Sequence, residues 1–159
     1  MRKTIDSLLG KLCLTILFIM LAAVIWQVFS RFVLQSPSTV TDEISSYSLI
    51  WVGLLGAAYA TGQHLHLAID LLPEKMVNKN IAFFDGFVYL CVFLFALLVM
   101  IVGGVRLCML SFQFGQTSAS LEIPLGFVYL VVPFSGLLIC YFSLDSFFNR
   151  IQSSKTTNV

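Results

Sequence analysis

Charged side chains divide this chain into long uncharged runs, and the spacing between them predicts its elements. Residues 12–30, 44–63, 86–105 and 123–144 contain no Asp, Glu, Lys, Arg or His, giving runs of 19, 20, 20 and 22 residues. At 1.5 Å rise per residue each run makes roughly 30 Å of helix, the thickness of a hydrocarbon core. A membrane β-barrel would show alternating segments of about ten residues instead, and none is present. The pattern predicts an all-α membrane protein with four transmembrane helices, at about 12–33, 42–63, 85–108 and 123–147, as a single four-helix membrane domain over 1–159. The first run follows Arg2, Lys3 and Lys11 but is longer than a signal-peptide core and has no A-x-A site after it, so it reads as an uncleaved span. Between the second and third spans, Met76, Val77, Ile81, Phe83 and Phe84 fall opposite Lys75, Asn78, Lys79 and Ala82 behind Pro73. This fits either a short interfacial helix over about 73–84 or a plain lead-in to the third span.

Composition sharpens the class. The chain has 159 residues, 58% hydrophobic and only 11% charged, with a net charge of +1. So few charges cannot cover a water-facing surface, which excludes a soluble enzyme. The near-zero charge supplies no basic field for nucleic acid, and 15 Phe exclude a disordered chain. The natural solvent is the lipid bilayer. Arg2, Lys3, Lys11, Lys75, Lys79, Arg150 and Lys155 lie on one side of the predicted spans, against Arg31 and Arg106 on the other. That imbalance places both termini in the cytoplasm.

Candidate chemistry is sparse. Carriers of ions place ionisable groups within their spans, and these four runs hold none. Their hydroxyls, such as Thr15, Ser45, Thr61, Ser135 and Ser143, are expected to bond helix backbone. His64, His66 and Asp70 mark the cytoplasmic end of the second span. The two histidines point about 200° apart on a helix, and no other histidine exists to share a haem, so they read as a polar helix end. Cys13, Cys91, Cys108 and Cys140 include no C-x-x-C pair. Phosphate loops, nucleophile elbows and zinc motifs are missing too. No enzyme, cofactor or metal is expected.

The second span is rich in small residues. Gly53 with Ala57, and Ala58 with Gly62, are small-xxx-small pairs, and Gly56 lies between them. They serve either packing within the bundle or docking of a second membrane protein. Trp51, near mid-depth, is expected to face protein, because its indole N–H would find no partner in lipid. Pro133 interrupts the fourth span and must also lie against protein, since the carbonyl it frees needs a neighbour. At the periplasmic start of the second span, Thr39 with Asp42 resembles a capping box. Arg31 is placed to pair with Asp42 or Glu43 across the short loop, and Arg106 to snorkel from the third span. Arg31, Asp42, Glu43 and Arg106 are the polar handles available to a periplasmic partner.

Together these landmarks resemble a known family, the small DctQ-like membrane subunit of tripartite ATP-independent periplasmic (TRAP) transporters. The resemblance rests on size and four-span topology over nearly the whole chain. Its motifs are Asp42-Glu43, then Trp51 with Leu55-Gly56-Ala57-Ala58, then Gly62-Gln63-His64-Leu65-His66 and Asp70. A second patch is Ser118-Ala119-Ser120-Leu121-Glu122-Ile123-Pro124 followed by Tyr129 and Pro133. Gln63 departs from the pattern, where the family often has a basic residue. The resemblance implies a non-catalytic scaffold for a large membrane subunit in sodium-coupled uptake of organic acid anions such as C4-dicarboxylates or sialic acids. It also implies a periplasmic substrate-binding protein that this chain helps to dock. A membrane anchor for a redox enzyme is the alternative. A small multidrug exporter is disfavoured, because it needs an acidic residue within a span.

Overall fold

The computed structural model describes residues 2–63 and 81–156, with side chains described over 4–63 and 88–145. Four helices long and apolar enough to cross a membrane run over Thr4–Phe32, Thr39–Gly62, Val88–Gln113 and Leu125–Asp145, and no strand occurs among the described residues. The first is part of helix α1 (Arg2–Phe32) and the second is α2 (Thr39–Gly62). The third is built from α3 (Ile81–Phe95), a π-helical stretch (Ala96–Gly103) and α4 (Gly104–Gln113). The fourth is α5 (Leu125–Tyr129) followed by α6 (Val131–Thr156). His64, His66, Asp70 and positions 73–80 of the expected interfacial helix lie outside the described residues, while 81–84 open α3.

The helices outrun the uncharged stretches that announced them. Asp6 and Lys11 lie on α1, and Arg106 lies on α4, within the third span. The α1 helix has 31 residues, about 46 Å at 1.5 Å each. Apolar runs thus mark the membrane core of each helix but not its ends.

Capping also differs from expectation. Ser38, not Thr39, is the N-cap of α2: its backbone is extended (φ −87°, ψ 104°) and its hydroxyl accepts the Thr41 N–H at 3.5 Å. Asp42 stays in the first turn, where a carboxylate complements the positive helix end. Hydroxyls inside the spans return to their own backbone, with Thr15 on the Lys11 carbonyl, Thr61 on Ala57 and Ser135 on Val132, at 2.9–3.0 Å.

Helix α1 packs on α2, α2 on α6, and α6 on α3 and the π-helical stretch. Two small cores fill the seams. Ala58, Ala96, Met100, Ile139 and Cys140 form one, and Leu9, Leu55, Val131 and Phe142 the other. Glycines set the closest approaches between the last two spans. A Cβ on Gly104 would lie 2.9 Å from Pro133 Cδ, and one on Gly136 would lie 2.8 Å from Met100 Cβ. The Ser143 hydroxyl donates to the Tyr89 carbonyl at 3.3 Å in the same seam. Pro133, with no N–H and a ring that crowds the carbonyl four residues earlier, accounts for the break at Leu130 between α5 and α6.

Candidate functional site

With an exterior dominated by apolar side chains, the places where this molecule can do something specific are its polar ends and any face left open for another helix. The end formed by loops 33–38 and 114–124 is the better defined. There Asp42 accepts a 2.7 Å hydrogen bond from Gln27 Nε2, tying α2 to α1. Glu43, one residue on, reaches a different partner. Its carboxylate accepts the Ser118 hydroxyl and the backbone N–H groups of Ser120 (3.0 Å) and Leu121 (3.1 Å). The two motif patches, 75 residues apart in sequence, meet at this bond.

The loop that Glu43 holds is folded by its own backbone. Ser118 N–H donates to the Ile123 carbonyl and Leu125 N–H to the Gln116 carbonyl, both at 2.9 Å, beside an isolated bridge between Thr117 and Pro124. Glu122 turns the tip with a positive φ of 54°, and Gly115 enters it at 57°. Pro124 stands as the N-cap of α5, one residue before the helix proper. Glu43 therefore fixes this loop to the start of α2. Among the described residues no ion pair joins Arg31 to Asp42 or Glu43; Arg31 and Arg106 are both exposed. In Glu43→Ala the amides of Ser120 and Leu121 should exchange with deuterium markedly faster than in the parent. Unchanged protection would show that the loop stands without the carboxylate.

At the opposite end, α1, α2 and α6 converge. A Cβ on Gly62 would lie 2.9 Å from Asp6 Oδ1 and 3.1 Å from the Phe142 ring, and Gly10 lies against Tyr59. Among the described residues, Asp6 Oδ1 is buried without a hydrogen-bond partner.

The second span has two unlike faces. Ala58 and Gly62 turn into the bundle, and Trp51 is half-buried against the Leu9, Leu55, Val131 and Phe142 core. Pro133 is likewise buried in its own bundle, against Gly104. Gly53 and Gly56 face open space, with none of the described residues within 4 Å of a Cβ built on either, and Ala57 is exposed beside them. Leu49 and Ile50 continue this face, exposed in their turn. The small-residue pairs thus divide between inner packing and an outward groove. Gly104, Gly126 and Gly136, which make the tight contacts of the last two spans, carry no motif that would have singled them out.

The fold and its ends define an integral, four-span helical membrane protein with an open small-residue face. Residues 20–153 match the family described as tripartite ATP-independent periplasmic transporters, DctQ component, and the chain belongs to that family. This makes it a transporter component by class and not an enzyme. Over 157 residues, 96% of this chain and 86% of the relative, it is 23% identical to the sialic acid TRAP transporter small permease protein SiaQ of Vibrio cholerae. It is 28% identical over 102 residues, 63% of this chain and 44% of the relative, to the C4-dicarboxylate TRAP transporter small permease protein DctQ of Rhodobacter capsulatus. A third match, 33% over 90 residues, covers 54% of this chain but only 14% of the sialic acid TRAP transporter permease protein SiaT of Haemophilus influenzae. The chain spans less than half the length of most of the curated relatives it matches.

Proposed function

We propose that this chain is the small permease subunit of a sodium-coupled, binding-protein-dependent carrier of organic acid anions. It acts as a scaffold for a large membrane subunit in the bacterial inner membrane, with both termini in the cytoplasm. The observation that carries this reading is the open face of Gly53, Gly56 and Ala57 on a span whose other side is packed. In lipid, helices associate through close van der Waals contact at small residues, because apolar surface alone gives no advantage over lipid tails. A groove of that kind facing outward suits a helix from a second chain. The SiaT match supports such a partner, since there the similar stretch is a small part of a much longer permease. SiaQ, matched over nearly the full chain, favours a sialic acid within the class of organic acid anions. The redox-anchor alternative finds no support among the relatives.

The test is a tagged pull-down from native membranes in mild detergent, followed by reconstitution. A stoichiometric large polytopic partner, and substrate uptake that needs both chains, a sodium gradient and the binding protein, is the expected result. Uptake by either chain alone would overturn the scaffold reading.

In this orientation the end bearing loops 33–38 and 114–124 faces the periplasm, and exposed Arg31 and Asp42 are among the charges a binding protein would meet there. Rim charges act mainly on encounter rate and salt dependence. Arg31→Glu should therefore raise the binding-protein concentration for half-maximal uptake about threefold to tenfold at low salt, with the maximal rate little changed. An unaltered concentration dependence would remove Arg31 from the docking surface.

A further inference from the structure

The third and fourth spans do not pack equally well along their length. Over one stretch glycines bring them together, Gly104 against Pro133 and Gly136 against Met100. Towards the end where Gly62 lies against Phe142, the third span presents Phe93 and Tyr89, and the fourth only Cys140 and Ser143. There the Cys140 thiol donates to the Phe93 carbonyl at 3.9 Å and the Ser143 hydroxyl to the Tyr89 carbonyl at 3.3 Å. Two aromatic rings hold the helices further apart than a thiol and a hydroxyl can fill, although protein interiors otherwise pack to high density. The shortfall is a cleft of about 140 Å³, lined among the described residues by Tyr89, Leu90, Phe93, Ser143 and Leu144.

Two features of this cleft decide what fills it. Its lining is almost wholly apolar, and the Ser143 hydroxyl already donates to the Tyr89 carbonyl. A buried water needs two to four polar partners, which such a lining does not supply, and apolar cavities of about 150 Å³ stay dry and admit small apolar molecules instead. The cleft is also open to the outside of the bundle. Tyr89 and Ser143 are buried at its floor, while Leu90 and Leu144 are exposed at its rim. That rim runs without a break into the exposed Leu94, Leu137 and Tyr141, the lipid-facing exterior of the same two spans. None of the lining residues belongs to α2, whose open face carries the subunit contact proposed above.

We propose that the cleft is a binding site for one acyl chain of a membrane phospholipid, which completes the packing of the third span on the fourth. Against a smooth helix pair a lipid chain touches protein on one side only. In the cleft it meets Leu90 and Phe93 on one flank, Leu144 on the other and the floor of Tyr89 and Ser143 beneath. The chain thereby restores dispersion contacts that the lining of an empty cleft would forfeit. A chain held on three sides exchanges with bulk lipid more slowly than its neighbours do. The site requires only that the molecule lie in a bilayer, and it is independent of the partner that α2 meets.

The experiment places the full chain in nanodiscs of phosphatidylethanolamine and phosphatidylglycerol, doped with a phosphatidylethanolamine that carries a diazirine within one acyl chain. After irradiation, adducts per residue on Leu90, Phe93 and Leu144 should exceed those on Leu8 and Leu12, exposed on α1 towards the same end, by roughly fivefold or more. Leu90→Trp and Leu144→Trp, which fill the mouth, should each lower the cleft adducts by roughly fivefold and leave those on Leu8 and Leu12 unchanged. Native mass spectrometry should show one phospholipid that survives detergent exchange on the unsubstituted chain and is lost from both tryptophan variants. Equal labelling of the cleft and of α1 in the unsubstituted chain would overturn the proposal and leave an ordinary lipid-facing surface; that comparison needs no variant to fold. Cleft labelling undiminished in both tryptophan variants, each monodisperse in detergent, would overturn it too, because the lipid chain would then lie outside the cleft.

Discussion

Gly136→Leu is expected to abolish the folded chain. A Cβ at this position would already lie 2.8 Å from Met100 Cβ, 3.1 Å from Ile101 Cγ1 and 3.3 Å from the Ala96 carbonyl oxygen. Met100 Cβ and the Ala96 carbonyl belong to or adjoin the backbone and cannot swing aside. Overfilling a close-packed interior by a methylene or two costs about 1–3 kcal/mol, and leucine adds four carbons. The leucine variant should lose its monodisperse peak in detergent, and Gly136→Ala should lower the thermal midpoint clearly. The same methyl added by Gly53→Ala meets nothing within 4 Å, and alanine is about 0.8–1 kcal/mol the better helix former. That variant should be at least as stable as the parent. Equal midpoints for Gly136→Ala and the parent would mean that α6 does not approach the π-helical stretch closely.

The second large effect concerns assembly rather than folding. Gly53→Leu combined with Ala57→Leu should leave the isolated chain as stable as the parent, because both positions open outward. In the presence of the large subunit it should reduce co-purification and uptake by tenfold or more. Bulk at a small-residue interface separates the two backbones and removes the contacts that hold helices together in lipid. Wild-type uptake by this variant would take the α2 face out of the interface. Together the two experiments separate the inner glycine from the outer one, which a simple count of glycines cannot do.

The contrast between Gly53 and Gly136 also explains how far the sequence could be read. Charge spacing located four spans, because a charge in hydrocarbon is expensive and its absence over 19 or more residues is informative. The identity of the inward face was not legible. In water, a helix betrays its buried side by contrast between apolar and polar residues, but in lipid both sides are apolar and that contrast vanishes. Gly104, Gly126 and Gly136 consequently looked no different from Gly53 and Gly56, although a Cβ on any of the first three would meet a neighbour within 3 Å. The π-helical stretch over Ala96–Gly103 left no mark either, being uniformly apolar.

At the loop end the chemistry was half legible. Asp42 and Glu43 stood out as a pair, and Ser118 to Pro124 stood out as a patch. Their meeting through Glu43 depends on a contact across 75 residues, which no local pattern encodes. One clue was available: a Ser-x-Ser turn offers a hydroxyl and free N–H groups, and such a group of donors calls for an anion. Ser38 displaced Thr39 as the cap for a more local reason, since its extended backbone lets its hydroxyl reach the Thr41 N–H.

The order in which the helices pack has a consequence for how the molecule is made. The helices α1 and α2 form one antiparallel pair joined by a short loop, and the third and fourth spans form another. Among the described residues the pairs meet along the seam between α2 and α6, where Leu55 and Ala58 face Val131, Ile139 and Phe142, with Leu9 of α1 in the same core and Glu43 bonded to the 114–124 loop. Closing a short loop costs little entropy, and local contacts form before distant ones. Each pair can therefore enter the membrane and close as it leaves the ribosome, the first before the second has been synthesised. Biogenesis then reduces to one late docking event between two finished halves, and the residues at that junction decide whether a newly made chain matures or is degraded.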